Sequence, residues 1–149
     1  EQKAGYDTEL EKSEQLIKQV IEDIKSVLGI VKIQNPKQIR LFVADEWKYR
    51  LYSIIKSKGS RDFGVLMAEA MKDEEMKKNA QSVTMIIKRL LKNPAIEILD
   101  REKELNALKE SIPFLEKEFN SPVEVIPAEN ANEKKALNAM PNKPAILIT

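Results

Sequence analysis

A small α+β fold, α/β in its layering, is the class this sequence predicts: a sheet of about three strands with several packed helices. Three observations carry that prediction. Residues 38–44 (QIRLFVA), 122–127 (PVEVIP) and 145–149 (AILIT) are rich in β-branched and aliphatic residues, as strands are. The stretches around them repeat apolar residues every three or four positions, the period of helices buried on one face. The 149 residues, 42% of them apolar, suffice for an ordinary core.

In order along the chain, Thr8 and Glu11 make a capping-box pattern. Leu10, Ile17, Val20, Ile21, Ile24, Val27 and Leu28 follow at helical spacing until Gly29 supplies a stop. A connecting segment ends at Asn35-Pro36. Residues 38–44 hold almost no polar position, which a strand covered on both faces requires. Asp45 can cap a helix whose stripe is Trp47, Leu51, Ile54 and Ile55, leaving Lys48, Tyr49, Arg50, Tyr52 and Lys56 spread over its remaining surface. The turn Ser57-Lys58-Gly59-Ser60 follows.

Asp62 opens a helix bearing Phe63, Leu66, Met67, Ala70 and Met71. Asp73 opens one longer helix through Met76, Ala80, Val83, Ile87, Leu90 and Leu91, ended by Asn93-Pro94. Residues 96–99 fit a helix start or a short strand equally. A further helix begins near Asp100 with Leu105, Leu108, Ile112, Leu115 and Phe119, and Pro113 predicts a kink or break within it. A short helix around residues 133–139 separates the last two strands.

The composition excludes much chemistry. With no cysteine and no histidine there are no disulfides, no thiolate nucleophile and no ordinary zinc set, so no catalytic residue, metal site or cofactor is expected. No run of eighteen apolar residues and no signal-peptide pattern is encoded, which points to a cytoplasmic protein away from membranes. The start at Glu1 rather than Met suggests a piece of a longer chain.

Charge is unevenly spread. The formal total is +1, yet residues 31–61 carry five Lys and three Arg against Asp45 and Glu46, or +6, while residues 1–30 and 94–149 each sum to −3. A polyanion responds to the local field rather than the total, so this block is a candidate electrostatic footprint.

The stretches VADEWKYRLYSII (residues 43–55) and KALNAMPNKPAILI (residues 135–148) resemble the carboxyl-terminal region of leucyl-tRNA synthetases of the archaeal and eukaryotic-cytosolic type. In that family a hydrophobic strand runs into an Ala-Asp/Glu-x-Trp-Lys helix, several helices follow, and a Pro-Gly-Lys-Pro-like turn introduces the final strand. The resemblance implies a division at residue 35. Residues 1–35 would be the last helix of the preceding anticodon-binding bundle with its linker, and residues 36–149 the C-terminal α/β tRNA-binding domain.

Here Asn142 replaces the glycine of the turn, and Asn is the residue that next best tolerates a left-handed backbone. The class I signatures HIGH and KMSKS are absent, so the resemblance implies part of a leucine–tRNA ligase that is not catalytic alone. ATP and leucine would belong to a catalytic domain outside this chain. The implied partners are that catalytic body and tRNA, in particular tRNA(Leu) at its elbow and long variable arm; DNA is not expected.

Candidate RNA contacts are the basic residues Lys37, Arg40, Lys48, Arg50, Lys56, Lys58 and Arg61, then Lys88, Arg89 and Lys92 near a helix end, and Lys143 in the final turn. Tyr49 and Tyr52 join them as stacking candidates. Simpler roles compete. Lys88, Arg89 and Lys92 suit a helix C-terminal dipole, Trp47 suits the core, and Met67, Met71 and Met76 read as gap-fillers. Lys56-Ser57-Lys58-Gly59-Ser60 lacks phosphate-loop spacing and reads as a basic turn. The alternative function is docking on the parent enzyme or on another translation factor through the acidic helix at residues 8–28.

Overall fold

The computed structural model describes residues 2–92 and 98–149, with side chains described from residue 9 onward. In chain order the elements are α1 (Gln2–Val31), β1 (Ile39–Val43), α2 (Glu46–Lys58), α3 (Phe63–Ala70), α4 (Glu74–Lys78), α5 (Ala80–Lys92), α6 (Arg101–Glu110), α7 (Ile112–Phe119), β2 (Val123–Pro127) and β3 (Ala145–Ile148). Two 3-10 turns, Ala128–Asn130 and Lys134–Asn138, lie between β2 and β3. The predicted helix end at Asn93-Pro94 and the first part of the ambiguous 96–99 segment lie outside the described residues.

The chain divides into two compact units, one made of Glu1–Asp45 with Ile98–Thr149 and the other of Glu46–Glu97. The first holds the sheet, in the order β2-β1-β3. β1 runs parallel to β2, with Ile39 opposite Val123, and antiparallel to β3, with Ile39 opposite Ile148. Its near-continuous apolar sequence has the predicted cause: Ile39, Leu41, Phe42 and Val43 are all at 0% exposure. α1 packs on α6 and β3, α6 also meets β1 and β2, and α7 lies on β2. The α1 stripe is Leu16, Val20 and Ile24, spaced four apart and buried. Burying each such side chain contributes at most about 1.5–3 kcal/mol.

Helix boundaries differ from expectation in three places. α1 already includes Thr8, so Thr8 is not its N-cap, and it continues through Gly29 to Val31. One exposed glycine costs a helix only about 1 kcal/mol, too little to end it; Lys32 closes it at φ 58°, its N–H donating to the Leu28 carbonyl at 2.9 Å. The single long helix expected after Asp73 is broken at Asn79 (φ −117°, ψ 38°) into α4 and α5. There the Asn79 side chain donates to the Glu75 carbonyl at 2.8 Å, an alternative to continued helix that asparagine offers readily. The segment at residues 133–139 forms a 3-10 turn rather than an α-helix. The break at Pro113 is as expected, α6 ending at Ser111 and Pro113 sitting in the first turn of α7.

The turn before β3 explains its asparagine. Met140 and Lys143 exchange backbone hydrogen bonds of 3.0 and 2.8 Å around Pro141-Asn142, with Asn142 at φ 60°, as a type II turn requires. The Asn142 carboxamide accepts from Leu99 N–H at 2.8 Å and donates to the Leu99 carbonyl at 3.0 Å. Its backbone N–H and its side chain both donate to Glu104 Oε1, at 2.9 and 3.1 Å, and Glu104 is wholly buried. Glycine could make the turn but not the latch. Asn142→Gly is therefore expected to cost about 1–3 kcal/mol by urea denaturation; an unchanged midpoint would show that the turn holds without these side-chain bonds.

Candidate nucleic-acid interface

The second unit is helical and basic. Glu46–Glu97 carries eleven Lys and Arg against seven Asp and Glu, a net +4, whereas the remainder of the chain carries fourteen against seventeen, or −3. Which cations are available to a polyanion depends on burial and on the carboxylates around them.

Several candidates are already committed. Lys48 is 4% exposed, with its ammonium 5.7 Å from the centroid of the Trp47 ring, and Tyr49 and Tyr52 are 7% and 5% exposed. None of these three is the exposed contact expected from the stripe Trp47, Leu51, Ile54, Ile55. That stripe is in fact rotated: Lys48, Tyr49 and Tyr52 lie inside while Ile54 and Ile55 are half-buried. A lysine stem and a tyrosine ring are largely apolar, so amphipathic side chains can occupy core positions that a hydrophobicity pattern assigns to the surface.

Arg50 ties α2 to α4. It pairs with Glu46 on its own helix and with Asp73 and Glu75 at 3.1 and 3.4 Å. Burial would lower its pKa, but the charges of Glu46 and Asp73 and the hydrogen bonds to Asp73 and Glu75 raise it overall. Asp73 also caps α4, accepting from Glu75 and Met76 N–H at 2.9 and 3.1 Å. The Met76 bond, followed by the Arg50 charge, lowers its pKa against the opposing effect of burial. Lys58 lies 3.4 Å from Glu69, which Lys72 also holds at 2.8 Å. In the first unit Arg40 donates to Glu133 at 2.6 Å, and Glu124 stands 3.9 Å away.

Lys56, Arg61, Lys88, Arg89 and Lys92 remain in the second unit, all exposed and without an ion pair among the described residues. Local structure brings Lys56 and Arg61 to the last turns of α5. α2 ends at Gly59, which takes φ 66° and donates to the Ile55 carbonyl at 3.3 Å, a left-handed helix cap that L residues adopt only with strain. Ser60 then accepts from Asp62 N–H at 3.1 Å and Asp62 caps α3 through Val65 N–H at 3.1 Å, so this basic turn is a helix junction. The last turns of α5 face it across a cavity of about 260 Å³. Tyr52, Ile55, Leu90 and Leu91 form its apolar walls, while Lys56, Ser60 and Arg61 line it on the polar side.

Arg89 lies near enough to lower the Tyr52 pKa, although burial dominates and raises it. The Lys88 ammonium sits 5.9 Å from the Phe63 ring centroid. Lys37 and Lys143 are exposed on the first unit, at opposite ends of β3, since Lys37 N–H bonds to the Thr149 carbonyl at 2.8 Å while Lys143 precedes the strand.

Two positioning residues escape sequence reasoning. Arg101 donates to the Ala44 carbonyl at 2.9 Å and pairs with Glu129, and Glu104 holds the Asn142 turn. The only signal for Glu104 is its place four residues before Leu108 on the buried stripe of α6. Among the described residues no cluster of three metal-ligating side chains occurs, and no helix is long and apolar enough to cross a membrane.

The chain is similar to leucine–tRNA ligases of several archaea. It is 39% identical over 145 residues to the leucine–tRNA ligase of Pyrococcus abyssi, covering 96% of this chain and 14% of that protein. Identity is 37% over 141 residues to the Pyrococcus furiosus ligase and 37% over 140 residues to that of Methanocaldococcus jannaschii, covering 93% and 94% of this chain and again 14% of each relative. No protein-family model matches. The chain is thus homologous to archaeal leucine–tRNA ligases along nearly all its length and corresponds to part of such a ligase.

The depressed carboxylates set a pH dependence. Asp73 is lowered as above, and Glu69 is lowered first by hydrogen bonds from Lys72 and Lys58. A carboxylate with a folded pKa below its unfolded value stabilises the fold above the unfolded value, and this is lost as pH falls through the folded one. Stability should therefore be flat from pH 7 to about 5 and decline below about 4. Asp73→Asn, which keeps a capping oxygen but removes the charge, should be less stable at pH 7 and show a shallower acid decline. Urea titrations at pH 7 and 3 check this; parallel declines in the two proteins would remove Asp73 from the account.

Proposed function

We propose that the chain is a tRNA-binding module of a leucine–tRNA ligase, acting in the cytoplasm beside the catalytic body and supporting leucylation without performing it. The observation that carries the reading is the set of five exposed cations without ion pairs at the α2 and α5 ends, in a chain homologous to tRNA ligases. Helix dipoles account for cations near these ends but leave their charged heads in solvent, open to phosphate. The substrate arm in this reading is the elbow and long variable arm of tRNA(Leu). A-form RNA hides its base edges in a deep groove, so the contacts are with phosphates, ribose hydroxyls and bases at loops and arm ends.

Docking on another protein is the second reading. One observation favours it: α1, α6 and α7 enclose an open groove of about 770 Å³ that includes the exposed Leu10 and Phe114. Salt-insensitive binding to a protein, with no tRNA binding, would select it.

Three outcomes are expected. A long-variable-arm tRNA should bind more tightly than a short-arm tRNA in a gel shift, and with steep salt dependence. Replacing Lys56, Arg61, Lys88 and Lys92 by Gln should weaken that binding and lower the log–log salt slope by roughly 0.7 for each lost contact. Circular dichroism should be unchanged, because all four side chains are exposed. An unchanged slope in the folded variant would make this cluster a solvated face. Finally, the chain alone should show no leucine-dependent pyrophosphate exchange, since it lacks histidine and with it the HIGH signature; exchange by clean protein would overturn the non-catalytic assignment.

A further inference from the structure

We infer that the cavity between the ends of α2 and α5 is a receptor for one unstacked nucleobase, with the attached phosphate held by Lys56 and Arg61. This rests on the tRNA-binding reading and names what one part of that surface takes. The volume of about 260 Å³ is just below the roughly 300 Å³ at which pockets for drug-sized ligands begin, so it suits one ring system and not a longer segment. Ile55, Leu90 and Leu91 supply apolar walls with Tyr52 behind them, the kind of surface on which an extruded base packs.

The polar side is equally specific. Lys56 and Arg61 are exposed at the cavity, neither is neutralised by a carboxylate, and the Ser60 hydroxyl, which accepts from Asp62 N–H, retains a proton to donate. A planar heteroaromatic ring next to a phosphate matches this division of the lining into apolar walls and cationic rim.

A free mononucleotide offers the same chemistry as a base in RNA. The surroundings favour RNA, because Lys88, Arg89 and Lys92 on α5 provide three further exposed cations that a single phosphate leaves unused. Consecutive phosphates of a strand would use them.

The test separates base packing from phosphate contact. Ile55 is half-buried at the cavity wall, and Ile55→Trp fills the space without changing any charge. The 149-residue chain should lose about tenfold in affinity for a long-variable-arm tRNA on this change, with an unaltered salt slope. Lys56→Gln with Arg61→Gln should instead flatten the slope. In transcripts carrying 2-aminopurine at single unpaired positions, one position should change fluorescence on binding to the native chain and not on binding to Ile55→Trp. Leu91→Trp is the parallel variant should Ile55→Trp fail to fold by circular dichroism.

Unchanged tRNA affinity and an unchanged 2-aminopurine profile in a folded Trp variant overturn the receptor while leaving the tRNA reading intact. No tRNA binding by the native chain at low salt overturns both. AMP or CMP binding that is lost in the Trp variant, with tRNA binding untouched, assigns the cavity to free mononucleotide and overturns the RNA source.

Discussion

The central strand β1 is the constraint on which the first unit depends. Four of its five residues are wholly buried, and both of its neighbours arrive from the far end of the chain, β2 at residues 123–127 and β3 at residues 145–148. Bringing such distant segments together costs loop-closure entropy before any contact rewards it. The structure limits that cost where the chain leaves the sheet. Ala44 is the last buried residue before the second unit and Arg101 opens the first helix after it, and the two are joined by the Arg101–Ala44 hydrogen bond. Arg101 also pairs with Glu129. Residues 46–97 are thus an insertion in the sequence of the sheet unit, whose flanking residues Ala44 and Arg101 are pinned to each other within that unit.

Pinning separates two tasks. Carboxylates of the sheet unit serve as partners for its own arginines: Glu133 and Glu124 for Arg40, and Glu129 for Arg101. In the insertion the acids are drawn to α4 and α3, where Asp73 and Glu75 take Arg50 and where Glu69 takes Lys58 and Lys72. Lys56, Arg61, Lys88, Arg89 and Lys92 are left without an ion pair among the described residues. These exposed pairs each contribute little to stability, about 0–1 kcal/mol. Their arrangement matters more as a distribution of field, which leaves one region of the insertion uncompensated.

What the sequence reveals follows from how local each interaction is. β1 is legible because both faces are covered, so its residues form an unbroken apolar run. Asp62, Asp73 and Asp100 are legible caps because a side chain three residues before a free N–H is a local event. The Pro141-Asn142 turn is legible for the same reason. Thr8 fails as a cap because its pattern occurs inside a longer helix, and the Asn79 break fails because an apolar stripe continues across it. The burial of Lys48, Tyr49 and Tyr52 and the Arg40–Glu133 pair, 93 residues apart in sequence, exist only in the folded chain. Of the basic block, Lys37, Lys56 and Arg61 stay exposed and without an ion pair among the described residues, while Arg40, Lys48, Arg50 and Lys58 are drawn into the structure.

That sorting bears on how a module of this kind could discriminate. Phosphate contacts supply affinity and register but carry no sequence information, so five free cations would hold one tRNA nearly as well as another. Discrimination then has to come from shape or from a base that one RNA can present and another cannot. In the proposed reading the cations gather the RNA and the small apolar cavity beside them tests it. The cavity lies at the junction where Gly59, Ser60 and Asp62 hold α2 and α3 by backbone caps, so its rim is set by main-chain geometry. A site that must report on one base needs such a rim, since a displacement of an ångström would lose the packing on Ile55 and Leu91 while leaving long-range attraction to phosphate almost unchanged.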